Sequence, residues 1–102
     1  MDISEFIKQG EKVRLNREYL VESLRVLTMK AQQILSQFDG KCVRVTYYGV
    51  NDKIEVMEGK ISIHSYFDEN VYRSGHILVI PDNKMVMPLA IGYERITNIE
   101  LI

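Results

Sequence analysis

Two histidines, one cysteine and one pair of adjacent carboxylates are the side chains of this 102-residue sequence best suited to chemistry, and their spacing decides what they can do. His64 and His76 stand twelve positions apart, with no other His or Cys at ligand spacing. A metal site needs converging ligands and a supporting second layer of hydrogen bonds. The two are therefore read as surface or rim histidines, and neither a metal nor another cofactor is expected. Cys42 has no Cys-x-x-Cys companion and no local nucleophile motif, so it reads as an inert thiol. Asp68-Glu69 could serve as paired carboxylates for acid–base work, but in a polar loop such a pair is solvated. Gly49, Gly59, Gly75 and Gly92 are isolated turn glycines and form no phosphate-cradling loop. No catalytic residue is assigned, and the chain is read as not an enzyme.

A second kind of chemistry is phosphate and base recognition. Lys8, Lys12, Arg14 and Arg17 form the densest basic stretch, and Lys41, Arg44 and Lys60 could extend it along one edge. Tyr47, Tyr48, Tyr66, Phe67 and Tyr72 supply aromatic faces of the kind on which small barrels stack single-stranded bases. The candidate nucleic-acid contacts are Arg44, Tyr48, Lys60 and Tyr66. Against this, Glu11, Glu18 and Glu22 are placed to pair with the helix cations, and Tyr47 and Phe67 suit a core.

Charge balance weighs the same way. The sequence carries 13 basic and 14 acidic residues, divided evenly between its halves, for a net charge of −1. Non-specific nucleic-acid binding relies on an excess of Lys and Arg, which is missing here. At 46% hydrophobic residues, the length fits one domain with a real core. A single cysteine excludes an internal disulfide and fits a reducing compartment. No signal peptide and no bilayer-length apolar run is recognised, so a soluble, cytoplasmic protein with no membrane contact is expected.

The elements that must hold these residues start with helices. Residues 3–9 fit about two helical turns, capped by Asp2 and stopped by Gly10. A main helix is expected from Asn16, as N-cap, to Phe38, closed by Asp39-Gly40. Its apolar positions Leu20, Leu24, Leu27, Ala31, Ile34 and Phe38 repeat at 4, 3, 4, 3, 4, which is an a/d seam. Such a helix spans roughly 33 Å. A barrel of about 60 residues measures only about 20–25 Å across. Part of the seam is therefore expected to lie open, and Leu20, Leu24, Leu27 and Ala31 are the candidate self-association surface of a homo-oligomer.

Strands follow. Lys41–Tyr48 alternates, with Val43, Val45 and Tyr47 on one face. Ile54–Phe67 is long, and Gly59 within it marks a bend. Asp68–Gly75 is the longest polar connection. From His76 the chain reads as strand, type I turn at Ile80-Pro81-Asp82-Asn83, a second short strand, an irregular turn through Tyr93–Ile96, and a last strand from Thr97 to Leu101. The expected fold is α+β but mostly β: a helical segment at residues 1–40 and a five-stranded antiparallel SH3/Sm-like barrel at 41–102, together one domain. Val43, Val45, Ile61, Ile63, Ile77, Val79, Ile99 and Leu101 should be mostly buried.

Val43-Arg-Val-Thr-Tyr-Tyr-Gly49, Glu58-Gly-Lys-Ile-Ser-Ile63, Met87-Pro-Leu89 and Tyr93-Glu-Arg-Ile-Thr-Asn-Ile-Glu-Leu101 resemble the YolD-like proteins, over roughly residues 20–102. The resemblance implies a small bacterial or phage protein with an Sm-like fold, associated with DNA-damage tolerance and Y-family DNA polymerases. It carries over no catalytic residue. The sequence departs from the pattern in the loop at Asp68–Gly75, in Met87 before the proline, and in Ala90-Ile91-Gly92. The expected function is a non-enzymatic binding or adaptor module, whose partner is a protein such as a DNA polymerase or a component of phage–host conflict. A nucleic-acid-binding Sm-like barrel is the alternative.

Overall fold

Two helices lead into an antiparallel five-stranded sheet. A computed structural model describes residues 3–15, 20–68 and 73–102, with the side chains of these except at 20, 66–68, 73 and 74. The first helix, α1, spans Ser4–Leu15, and the second, α2, spans Leu20–Ile34 and runs on as a 3₁₀ turn through Leu35–Phe38. The strands are β1 (Cys42–Tyr48), β2 (Ile54–Asp68), β3 (Arg73–Ile80), β4 (Leu89–Gly92) and β5 (Ile96–Leu101). They lie in the order β4-β3-β2-β1-β5, and every pairing is antiparallel. This is the expected α+β arrangement with a barrel-like sheet, although helix and strand share the chain about equally.

The long β2 makes the sheet curl. Its first half, from Ile54 to Lys60, pairs with β1, and its second half, from Lys60 onward, pairs with β3. Gly59 sits at the changeover and is buried. A Cβ there would drive into the backbone of Ile80 and Pro81, so the absence of a side chain permits the bend, as anticipated. Past the bend, the edge of β2 that faces away from β3 is capped by the helix exit. Gly40 N donates to Ile61 O at 2.8 Å, Ile61 N donates to Lys41 O at 3.1 Å, and Ile63 N donates to the Asp39 carboxylate at 3.1 Å. Gly40, with φ +76°, closes the helix where Asp39-Gly40 was expected to.

One core joins helices and sheet. Phe6 and Val13 of α1 and Leu24, Leu27, Ala31 and Ile34 of α2 pack with Val43, Val45, Ile61, Ile77, Val79, Ile91, Tyr93, Ile96 and Ile99. Six of the eight expected strand residues are buried there and Ile63 is half-buried. Leu101 is the exception: as the last residue of an edge strand it is 58% exposed.

The helices correct two expectations. Gly10 does not stop α1. It is buried inside the helix, where its Cα lets α1 approach the backbone of Tyr93 and Glu94, and an added Cβ would lie 3.3 Å from Tyr93 O. Close approach, not termination, is its role. The second correction concerns the seam. Leu24, Leu27 and Ala31 are 2%, 0% and 0% exposed within the single chain, because α1 and the sheet together cover more of α2 than a barrel alone would. Those three residues therefore offer no surface to a second copy. Leu20's side chain, the Asp2 cap and the start of the main helix at Asn16 lie outside the described residues. The helical segment shares its apolar face with the strands.

Two strand boundaries also move. β3 begins at Arg73, so the polar connection is shorter than Asp68–Gly75, and Ser65 pairs with Gly75. The expected turn at Ile80–Asn83 gives way to a turn at Asn83–Val86. There Asn83 Oδ1 accepts from Met85 N at 2.9 Å and Asn83 O accepts from Val86 N at 3.0 Å. Met85, Val86 and Met87 are thereby exposed, and the strand starts only after Pro88. Tyr93–Arg95 forms one 3₁₀ turn, in keeping with a segment too short for a stable α-helix.

Candidate functional site: a cleft beside the edge strand

The end of β1, the turn after it and the start of β2 overhang β4. Tyr47, Tyr48, Gly49, Val50–Asp52 and Glu55 form one wall, Leu89, Ala90 and Ile91 form the other, and Arg95 closes the end. The cleft has a volume of about 580 Å³, within the range of ligand sites.

Local rules put each group there. Strand alternation turns Tyr47 inward with Val43 and Val45. Glu55 lies directly opposite Tyr47 in the β1–β2 register and so shares the inward face with half-buried Met57 and buried Gly59 and Ile61. Tyr47 is 8% exposed and has Glu55 as its direct cross-strand neighbour. Burial first, then the charge of Glu55, push the phenol's pKa above its ordinary 10.0. It remains a neutral donor at physiological pH. The connecting turn holds Asn51 and Asp52 at φ +60° and +57°, both left-handed, which Asn and Asp tolerate better than other side chains. Gly49 N donating to Lys53 O at 2.7 Å closes the turn. Arg95 pins it from below: Nε donates to Tyr48 O at 2.6 Å and Nη2 donates to Gly49 O. From the far side, Arg14 lays its guanidinium 4.3 Å from the centre of the Tyr48 ring while Nη1 donates to Glu94 O at 2.9 Å.

The four candidate nucleic-acid residues do not form one cationic face. Arg44 lies between two carboxylates on the outer surface, with Glu58 at 2.6 Å and Glu100 at 3.6 Å, because β1 sits between β2 and β5 and its register sets all three side by side. Two acidic neighbours oppose a phosphate at that position. Tyr48 is half-buried and has Arg14 on its ring. Lys60 is exposed opposite Cys42, and Tyr66's side chain lies outside the described residues. Cys42 is exposed and free. Glu55 and Arg95, which build the cleft, were not singled out from the sequence, and Gly49 was read only as a turn glycine. A signal was available for Glu55: counting back by two from inward Ile61 puts a carboxylate on an apolar face.

His64 and His76 pair across β2 and β3 on the outer face. Their rings stack with centroids 5.1 Å apart and planes at 16°, and Ser62 Oγ lies 3.0 Å from His64 Nε2. Among the described residues no group of three His, Cys, Asp or Glu is placed to hold a metal ion. Burial, then the charge of His64, lowers the pKa of His76 below 6.5. The unfolded chain therefore binds more protons than the folded one in this range. Stability from this group is complete above about pH 6.5 and is lost as pH falls through the lowered folded value. The unfolding midpoint in urea should thus drop between about pH 7.5 and 5. His76→Gln should flatten that slope, and an unchanged slope in the variant would remove the pair as its source.

Among the described residues no helix is long and apolar enough to cross a membrane. Compared with protein-family models, curated proteins and solved structures, the chain matches none of them.

Proposed function

We propose that this protein is a non-catalytic binding module that takes an extended segment of a partner protein into the cleft beside β4. The observation that carries this reading is the sheet order. Among the described residues β4 is an edge strand paired with β3 alone, and it borders a cleft of about 580 Å³. An open edge offers backbone N–H and C=O groups to an added strand, and neighbouring pockets read its side chains. Two polar side chains in the cleft serve the fold: Arg95 is committed to two carbonyls and Tyr47 is buried in the core. Such groups suit recognition better than bond-making. The resemblance to YolD-like proteins supports an adaptor acting in the cytoplasm on a protein of DNA-damage tolerance or phage–host conflict.

The test is selection of random displayed peptides on the purified protein, followed by amide hydrogen exchange with an enriched peptide bound. Protection should appear at Leu89–Gly92. Protection confined to other elements would overturn the reading. So would a protein that retains no peptide but binds single-stranded DNA with an affinity that falls steeply with salt, which is the signature of phosphate contacts.

A further inference from the structure

We infer that the cleft selects a basic side chain, lysine or arginine, on the segment it binds, and that Glu55 is the residue that reads it. This deepens the binding reading above and rests on it. Glu55 lies directly opposite buried Tyr47, on the face of β2 that leads to Ile61, yet its own side chain is exposed and so open to a bound segment. Its carboxylate lies beside the Tyr47 strand position and over Gly49, which leaves the room it occupies, since a Cβ at position 49 would collide with it. Gly49 has φ −85°, which any residue adopts, so space is what glycine supplies there.

A carboxylate accepts about four hydrogen bonds. Among the described residues Glu55 has no ion-pair partner. Arg95 lines the same cleft, but its Nε and Nη2 point at the carbonyls of Tyr48 and Gly49. Asp52 adds a second carboxylate to the lining. Leu89 and Ile91 of β4 line the same cleft. An apolar lining together with a carboxylate matches a side chain with a long aliphatic stem and a cationic tip.

The experiment compares peptides enriched on the wild type with those enriched on Glu55→Gln and Glu55→Lys. On the wild type, enriched peptides should share a Lys or Arg at one position, and alanine there should weaken binding about tenfold or more, as expected for a hydrogen bond to a charged group. On Glu55→Gln the same alanine change should have less than about a third of that effect. On Glu55→Lys the enriched position should turn acidic. Gly49→Ala gives an independent check. The group it displaces is the end of a flexible side chain, so the fold should survive while basic selectivity falls. Melting curves confirm that each variant is folded. Peptides that protect β4 but share no basic position, or an alanine effect equal on wild type and Glu55→Gln, overturn this inference and leave the binding reading standing. Failure to recover any β4-protecting peptide overturns both.

Discussion

Leu24→Glu should abolish the cooperative unfolding transition, leaving a chain without a folded baseline at 25 °C. Leu24 is 2% exposed and belongs to the cluster that joins α2 to the sheet. A glutamate there must lose its water with no cation to pair with, or bind a proton and still bury a polar group. Such changes exceed about 4 kcal/mol, while a domain of this size has about 5–15 kcal/mol in total. Leu24→Ala, which removes volume without adding charge, should cost about 2–5 kcal/mol and leave a weaker but folded protein. Circular dichroism melting of both variants makes the comparison. A folded Leu24→Glu protein that sediments as a smaller species than the wild type would show that the seam faces another copy, and would overturn its assignment to the core.

The second large effect is expected at Gly75. Its φ of +106° lies where side-chain-bearing residues are rarely found, and it is buried. A Cβ would strike the carbonyl of His64 and lie 3.0 Å from the Tyr93 ring. The carbonyl is part of the β2–β3 ladder, and Tyr93 is held by Phe6 edge-on at 5.7 Å and by the Ser65 hydroxyl at 2.6 Å. Neither neighbour can step aside freely. Backbone strain of about 1–3 kcal/mol and overpacking of about 1–3 kcal/mol both apply to Gly75→Ala, so a loss of about 3 kcal/mol or more is expected. Gly40→Ala is the matched control. It shares a positive φ of +76° but nothing lies within 4 Å of its added Cβ, so only the backbone part should appear. Equal destabilisation of the two variants in urea would show that the contacts at Gly75 contribute nothing.

Both residues were visible in the sequence, but with different meanings. Leu24 was recognised as apolar and in phase with Leu27 and Ala31. Helical periodicity specifies a face and says nothing of what covers it. Covering α2 takes α1, which was expected to end at Gly10 and instead runs to Leu15, bringing Phe6 and Val13 into the core. Gly75 was read as a turn glycine, yet it lies inside β3, opposite Ser65, because the polar run before it extends the hairpin.

Alternation and punctuation within the chain determined the element types: the two helices, the bend at Gly59, the inward set Val43, Val45, Ile61, Ile77, Val79 and Ile99, and an antiparallel sheet joined by short connections. Those are local properties, set by backbone geometry and by side chains two, three or four positions apart. Only the tertiary structure decided the fate of the α2 seam, the neutralising neighbours of Arg44, the stacking of His64 on His76, and the meeting of Tyr47, Glu55, Gly49 and Arg95 beside β4. Each depends on cross-strand register or on packing between distant segments. Arg95 donates to carbonyls 47 and 46 positions away, and Glu100 reaches Arg44 only because β5 returns to lie beside β1. A one-residue slip of β5 against β1 would turn Glu100 to the opposite face, so no local pattern could have specified its contact with Arg44.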